Sequence, residues 1–178
     1  GNLKIAVGMD SRITGPELKQ GIISGIKHSG GMAFDCGLAS TPAMFMSTVL
    51  DEFNCDGAVM ITASHLPFNR NGFKFFTSGG GLEKEHIKKI LTYASEQTPS
   101  TFEPVSAPEL GIMDRYSEIF IDTIRKGIKS SVSYNRPLEG MKIAVDAGNG
   151  CGGFFAEKVL KVLGADISGS RFLKPDGM

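Results

Sequence analysis

Residues 61–74 read I-T-A-S-H-L-P-F-N-R-N-G-F-K, and this stretch decides the fold class of the chain. Before it comes the apolar run Gly-Ala-Val-Met of residues 57–60, which has the composition of a buried strand. Such a strand delivers Ser64 and His65 to a polar loop, broken by Pro67, at its carboxyl end. Open α/β sheets place their binding and catalytic groups at that end, so the stretch predicts an α/β protein with its site here.

Two side chains of the stretch suit catalysis. Ser64 would be an exposed nucleophile on a rigid strand end, and Lys74, on the strand after the loop, could return to it as a cation or a proton-transfer group. Each has a plainer interpretation. Ser64 could bond its own backbone in a turn, and Lys74 could be an exposed lysine that protects a sheet edge. The residue types alone leave both interpretations open.

Strand and helix patterns alternate through the first half of the chain. The predicted strands are residues 3–9, 32–36, 55–62 and 73–77. The predicted helices are residues 15–30, 42–53 and 83–96. Because a loop joins the third and fourth strands, the fourth should run antiparallel at a sheet edge, and the three glycines after it predict a flexible turn. The pattern therefore predicts a three-layer α/β/α fold with a mixed, mostly parallel sheet.

The second half contains linkers, a helix and a partial repeat. Residues 97–108 and 129–140 contain proline and lack periodicity, which predicts linkers, whereas residues 113–128 predict a helix. Residues 141–145, M-K-I-A-V, repeat the L-K-I-A-V of residues 3–7, so a second α/β unit should begin here.

We therefore predict three parts. A first domain spans residues 1–108, a connecting helix and linker span residues 109–139, and the start of a second, similar α/β domain spans residues 140–178. The helix of this last part, residues 155–163, should leave an apolar side uncovered, and the strand that begins at residue 165 should leave an open edge. We expect fast amide exchange after residue 140, or association with another chain through this part.

Composition narrows the class of protein. Nineteen basic and nineteen acidic residues cancel, which argues against the basic footprint of a nucleic-acid-binding protein. No apolar run approaches the roughly 20 residues of a membrane span, and no signal-peptide pattern opens the chain. The three cysteines form no C-x-x-C pair, so we expect reduced, buried thiols. These features predict a soluble protein of a reducing compartment, the cytoplasm or an organelle stroma.

The stretch around Ser64 also resembles a known motif. Residues 62–74 are similar to the phosphoserine loop of the α-D-phosphohexomutase superfamily, which comprises phosphoglucomutases, phosphomannomutases and phosphoglucosamine mutases. The family pattern reads T-A-S-H-N-P-x-x-x-N-G-x-K. Leu66 stands where many members have Asn, and Phe68 replaces a frequent second Pro. These departures weaken an inference about the substrate more than one about Ser64.

Other segments extend the resemblance along nearly the whole chain. V-G-M-D-S-R at residues 7–12, S-T-P at residues 40–42 and D-A-G-N-G at residues 146–150 are each similar to a family motif. The resemblance covers domain one and the beginning of domain two of a four-domain architecture. The Gly-Asn-Gly of residues 148–150 could cradle an anion before a helix, but we interpret these residues as structural.

The resemblance implies a phosphoryl-transfer reaction. Ser64 would carry a phosphoryl group, donate it to a hexose phosphate, and recover a phosphate from the resulting hexose 1,6-bisphosphate, while Lys74 would assist proton transfer. The protein would thus be an isomerase, a phosphoprotein and an intramolecular phosphotransferase. Mg²⁺ would be bound by one phosphoryl oxygen on Ser64 and by three Asp of a D-x-D-x-D loop, which this sequence does not contain. We therefore expect the present chain alone to be inactive.

Four further residues are candidates for the same site. His65 could contact phosphate or bond the loop backbone. Arg12 could pair with Asp10 and brace the serine loop, or contact phosphate directly. Asn71, followed by Gly72, predicts a turn with positive φ that shapes the loop.

Two other functions stay open. One is a non-catalytic sugar-phosphate-binding or scaffold protein of the same fold, which would keep the loop without its catalytic partners. The other is a hydrolase in which Lys74 activates Ser64, although nothing in the sequence specifies an oxyanion hole. The sequence does not distinguish glucose, mannose and glucosamine phosphates.

Overall fold

The structure, a computed structural model, describes residues 2–98, 103–128 and 133–177. Its strands are β1 (Lys4–Met9), β2 (Met32–Leu38), β3 (Gly57–Ile61), β4 (Phe73–Thr77) and β5 (Gly80–Gly81). Its α-helices are α1 (Gly15–His28), α2 (Thr41–Met46), α3 (Lys84–Glu96) and α4 (Ile112–Gly127). A short π-helix, Phe155–Leu160, follows them.

The strands form one mixed sheet in the order β2-β1-β3-β4-β5. The first three are parallel, whereas β4 is antiparallel to β3 and β5 is antiparallel to β4. The mixed α/β sheet that the sequence predicts is therefore confirmed. One detail differs: the glycines after β4 are not only a turn, because Gly80 and Gly81 pair with Thr77 and Phe76 and form the outermost strand.

Helices cover the sheet on two faces because successive strand residues point to opposite sides. On one face, Val7 packs with Ile23 of α1. On the other, Ala6 packs with Met44 of α2 and Ile112 of α4. All five residues of β3 are buried, so the strand that leads to Ser64 is anchored along its whole length.

Helix α2 ends at Met46 and not near residue 53 as the sequence pattern predicts. The hydroxyl of Ser47 donates to the carbonyl of Met44 at 2.7 Å, and that of Thr48 donates to the carbonyl of Phe45 at 2.8 Å. The backbone hydrogen bonds also change spacing here: the Thr48 amide donates to the Phe45 carbonyl, three residues earlier, as in a 3₁₀ turn. Side chains of this kind compete with the helical bonds, which ends α2 early.

The strands predicted after residue 140 are reduced to two isolated parallel pairings, Lys142 with Asp166 and Asp146 with Arg171. The two pairings are out of register by one residue, and the Val145 amide donates to the side chain of Ser170 instead of to a backbone carbonyl. An extra residue of this kind interrupts a ladder. The predicted strands therefore form a bulged pairing without a continuous sheet.

The expectation of an uncovered apolar helix side at residues 155–163 is wrong. Val159 and Leu163 are fully buried, and they pack in one cluster with Phe120 and Ile124 of α4. The rings of Phe120 and Phe155 meet edge to face, with centroids 5.1 Å apart. The sequence predicts α4 only as a connecting helix, whereas in the structure its second half covers this side. The reason for expecting fast amide exchange throughout the residues after 140 therefore no longer holds.

Gly153 offers a test of how this last part is packed. A Cβ atom at Gly153 would collide with the backbone carbonyl of Leu173, whereas a Cβ at the neighbouring Gly152 would meet only Ala147, at 4.0 Å. We expect Gly153→Ala to lower the free energy of unfolding by about 2 kcal/mol, because backbone atoms cannot yield easily.

Urea denaturation of Gly153→Ala and of the matched control Gly152→Ala checks this prediction. The control should stay within about 0.5 kcal/mol of the wild type. Equal effects of the two substitutions would mean that the segment around Leu173 does not lie against Gly153 in solution.

Candidate active site

Ser64 lies just beyond the carboxyl end of β3, with its side chain exposed. Its backbone is left-handed, with φ of 54°. For a residue with a Cβ atom this conformation costs roughly 1–2 kcal/mol. Such a conformation persists only where the surroundings hold it, so the contacts of Ser64 with its neighbours define the site.

Arg12 is the main support of the serine loop. Its side chain is buried, and its guanidinium donates to the backbone carbonyls of Ser64 at 2.5 Å, Pro67 at 2.6 Å and Arg70 at 3.0 Å. Its Nε donates to Asp10 at 3.0 Å. A planar guanidinium is suited to such a forked set of acceptors. The geometry favours the bracing role over direct phosphate contact.

Asp10 joins the first and third strands at the site. Its amide donates to the carbonyl of Ile61 at 3.0 Å, and its carboxylate accepts from the Arg12 amide at 3.1 Å and from the hydroxyl of Thr62 at 2.7 Å. Thr62 is not among the site residues that the sequence pattern predicts. The signal was available, because a hydroxyl two residues before Ser64 is the spacing of a side chain that bonds its own backbone in a turn.

Asn71 closes the far end of the loop. Its amide nitrogen donates to the hydroxyl of Thr14 at 3.0 Å, and its side-chain oxygen accepts from the Gly72 amide at 3.0 Å. The expected positive φ at Asn71-Gly72 is wrong, since neither residue is left-handed. Gly72 continues the pairing of β3 with β4, since its carbonyl accepts from the Thr62 amide at 2.9 Å, and a Cβ there would lie 3.3 Å from the Thr62 carbonyl. The strained position of the loop is Ser64 itself.

His65 and Lys74 are placed differently. His65 is exposed and lines the same cavity as Ser64. Lys74 is exposed on β4, where it pairs with Met60 of β3, and residues paired in this way point to the same face of the sheet. Met60 lines the cavity and Lys74 does not. The structure thus gathers Ser64, His65, Arg12 and Asp10, and leaves Lys74 on the adjoining strand.

Several segments that contain motifs of the sequence line one cavity of about 520 Å³. Asp10, Ser11 and Arg12 line one part of it, and the serine loop and residues 39–42 line others. Residues 148–151 form a further wall. The hydroxyl of Ser11 donates to the carbonyl of Asn149 at 3.0 Å, which ties the second part of the chain to this wall.

Cys151 also lines the cavity, with its side chain partly buried. Burial, and secondarily the charge of Asp10, raises the pKa of this thiol to about 12. Cys151 is therefore protonated at neutral pH and is unsuited to act as a nucleophile, because the thiolate is the reactive form.

The described residues do not form a magnesium site by themselves. Among residues 2–98, 103–128 and 133–177, no group of three or more His, Cys, Asp or Glu side chains lies close enough together to hold a metal ion. The Asp10 carboxylate is engaged by Arg12 and Thr62. The part of the chain that the structure describes also has no helix long and apolar enough to cross a membrane.

The first part of the chain, which contains the serine loop, matches a known protein family. Residues 1–100 match the family model described as phosphoglucomutase/phosphomannomutase, alpha/beta/alpha domain I. The match includes β1 to β5 and the whole serine loop.

Curated relatives extend the similarity over most of the chain. A phosphoglucosamine mutase of Clostridium botulinum (strain Eklund 17B / Type B) is 36% identical over 167 residues, which cover 92% of this chain and 36% of that protein. A phosphoglucomutase of Neisseria gonorrhoeae is 34% identical over 179 residues, which cover 99% of this chain and 36% of that protein. The chain spans little more than a third of these relatives.

A solved structure has the same fold. The crystal structure of a phosphoglucomutase/phosphomannomutase family protein from Burkholderia thailandensis matches with a TM-score of 0.74 and 27% sequence identity. The match covers 99% of this chain and 37% of that one. Because the match covers nearly the whole chain, the similarity of fold includes the second part as well as the first.

Proposed function

The chain belongs to the phosphoglucomutase/phosphomannomutase family, and from this premise we propose that it supplies the phosphoserine part of an enzyme that interconverts hexose 1-phosphate and hexose 6-phosphate. Its relatives are phosphohexomutases. Because the chain spans little more than a third of their length, the activity proposed is that of a longer protein that contains it.

The observation that carries the proposal is the position of Ser64. Its hydroxyl is exposed at a cavity, while its backbone is held by a buried guanidinium. Phosphoryl transfer depends almost entirely on positioning and charge stabilisation, so a serine with a free side chain and a restrained backbone suits it.

In the proposed reaction Ser64 carries a phosphoryl group in the resting enzyme. The bond between that phosphorus and the serine oxygen breaks as a bond to a sugar hydroxyl forms, and Lys74 receives the proton of that hydroxyl. The product is a hexose 1,6-bisphosphate. After it reorients, its other phosphate returns to Ser64, and the proton returns to the sugar oxygen.

The remaining candidates support this cycle. We assign Arg12, Asp10 and Asn71 to the shape of the loop, because their side-chain bonds go to loop backbone or to neighbouring side chains. We assign His65 to the binding of substrate phosphate, since it is exposed and lines the cavity. Mg²⁺ enters the proposal only as an ion that a phosphoryl oxygen on Ser64 would help to bind in the longer protein.

The test is an assay of the full-length protein with glucose, mannose and glucosamine 1-phosphates, each with its bisphosphate, together with intact-mass detection of one phosphoryl group. We expect turnover of at least one sugar phosphate and a phosphorylated resting form, and no turnover by the 178-residue chain alone. Binding of these sugar phosphates without turnover would favour the scaffold function, and release of inorganic phosphate would favour a hydrolase.

Lys74→Met tests the proton-transfer role. Removal of a positioned proton-transfer group typically slows a reaction by about 10²–10⁴-fold, and we expect this loss in kcat of the full-length protein. Ser64 should still hold phosphate, which intact mass would show. Lys88→Met, at an exposed lysine of α3, is the matched control. Unchanged turnover of Lys74→Met would exclude this role.

A further inference from the structure

We infer that Thr62 is a positioning residue for the nucleophile: its hydroxyl links the Asp10 carboxylate to the backbone amide of Ser64. The Thr62 hydroxyl lies 2.7 Å from Asp10 Oδ2 and 3.0 Å from the Ser64 amide nitrogen. The inference rests on the proposed function only in taking Ser64 as the residue that carries phosphate.

The chemistry of the groups determines the direction of both bonds. A backbone amide can only donate, so the Thr62 oxygen accepts from Ser64. An ionised carboxylate can only accept, so the single hydroxyl proton of Thr62 is donated to Asp10. The hydroxyl is thus acceptor and donor at once, and its bond to the Asp10 carboxylate polarises it, which strengthens its bond to the Ser64 amide.

A second connection reaches the other side of the same residue. Asp10 Oδ2 also accepts from Arg12 Nε at 3.0 Å, and Arg12 donates to the Ser64 carbonyl at 2.5 Å. The amide and the carbonyl of Ser64 are therefore both tied to one carboxylate oxygen, through Thr62 on one side and Arg12 on the other. This closed frame explains how a residue with a Cβ atom is held at a φ of 54°.

Burial makes the frame selective for a hydroxyl at position 62. Thr62 is only 7% exposed and Arg12 only 8% exposed, so water does not readily replace a lost bond. Valine has nearly the shape of threonine, but it can neither accept from Ser64 nor donate to Asp10. Serine keeps the hydroxyl and loses only a methyl group. The pair Thr62→Val and Thr62→Ser therefore separates the hydrogen bonds from the packing.

Amide hydrogen exchange and backbone chemical shifts of the 178-residue chain, measured by NMR, test the inference. In Thr62→Val we expect the Ser64 amide to exchange about tenfold faster and its shifts to leave the left-handed range. Thr62→Ser should retain both. The amides of Val59 and Ile61 in β3 should not change in either variant. If Thr62→Val does not fold, Thr62→Ala is compared with Thr62→Ser, because these two variants lack the same methyl group and differ only in the hydroxyl.

The inference is overturned if Thr62→Val leaves the Ser64 amide as slow as in the wild type, or if Thr62→Ser accelerates it equally. A second experiment measures the rate of Ser64 phosphorylation in the full-length protein, with glucose 1,6-bisphosphate as the phosphoryl donor. Thr62→Val should slow phosphorylation of Ser64 about tenfold at saturating donor, with KM unchanged, and Thr62→Ser should be close to the wild type. A wild-type protein that never becomes phosphorylated refutes the proposed function, while the NMR result still decides the role of Thr62.

Discussion

Replacing Ser64 by Ala in the full-length protein is expected to abolish interconversion of hexose phosphates, with a loss of about 10⁴-fold or more in kcat. The methyl group of alanine has no oxygen that could accept or return a phosphoryl group, and the supporting bonds to the Ser64 backbone do not replace it. Because the Ser64 side chain is exposed, the fold should be unaffected. A coupled assay and intact-mass analysis measure both the turnover and the loss of the phosphorylated form.

The matched control for this experiment is Ser78→Ala, at an exposed serine in the turn after β4. It should leave turnover and phosphate content unchanged. Turnover that persists in Ser64→Ala would place the phosphoryl carrier elsewhere in the protein, and the interpretation of residues 62–74 as a phosphoserine loop would then be wrong.

Replacing Arg12 by Ala is expected to lower the free energy of unfolding by about 3–5 kcal/mol. The substitution removes donors to the carbonyls of Ser64, Pro67 and Arg70, and it leaves the Asp10 carboxylate, whose side chain is 16% exposed, without its cation. Arg12→Lys should recover little of this loss, because one ammonium group cannot reproduce the forked geometry. Denaturant unfolding of the three proteins gives the comparison.

Arg115→Ala is the control for a surface arginine. Arg115 pairs with Glu52 at 2.6 Å and with Glu118 at 3.1 Å, but its side chain is 39% exposed. Ion pairs of this kind contribute little, so the change should be within about 1 kcal/mol. If Arg12→Ala were no more destabilising than Arg115→Ala, the bonds from Arg12 to the serine loop would not persist in solution.

The candidate site combines residues that are consecutive in the sequence with residues that lie far from them in the sequence. Ser64 and its loop are recognisable along the chain, because a buried run, a hydroxyl and a Pro-broken polar segment are consecutive. The support of that loop is not consecutive. Asp10 and Arg12 lie 52 residues before the Thr62 hydroxyl and the Ser64 carbonyl that they bond. The sequence leaves two roles open for Arg12, a brace with Asp10 or a direct phosphate contact, and it does not specify the loop atoms that Arg12 bonds.

In the second part of the chain, after residue 140, the structure differs from what the sequence pattern predicts. The repeat of L-K-I-A-V as M-K-I-A-V predicts a strand, yet residues 141–147 make only isolated pairings. The helix that follows also differs from the sequence pattern, which predicts an uncovered apolar side. In the structure, Val159 and Leu163 on that side are buried against the second half of α4. A periodic apolar pattern indicates which side of an element is buried, but not which partner covers it.

The sequence by itself determined the α/β class, the parallel strands that precede Asp10 and Ser64, and the position of the serine loop. These features follow from patterns only a few residues long, namely apolar periodicity, turn residues and one consecutive motif. Only the tertiary structure decided the left-handed backbone of Ser64, the hydrogen bonds that hold it and the cover that α4 provides. Each of these depends on atoms brought together from distant positions, and the register of β1 on β3 sets those distances.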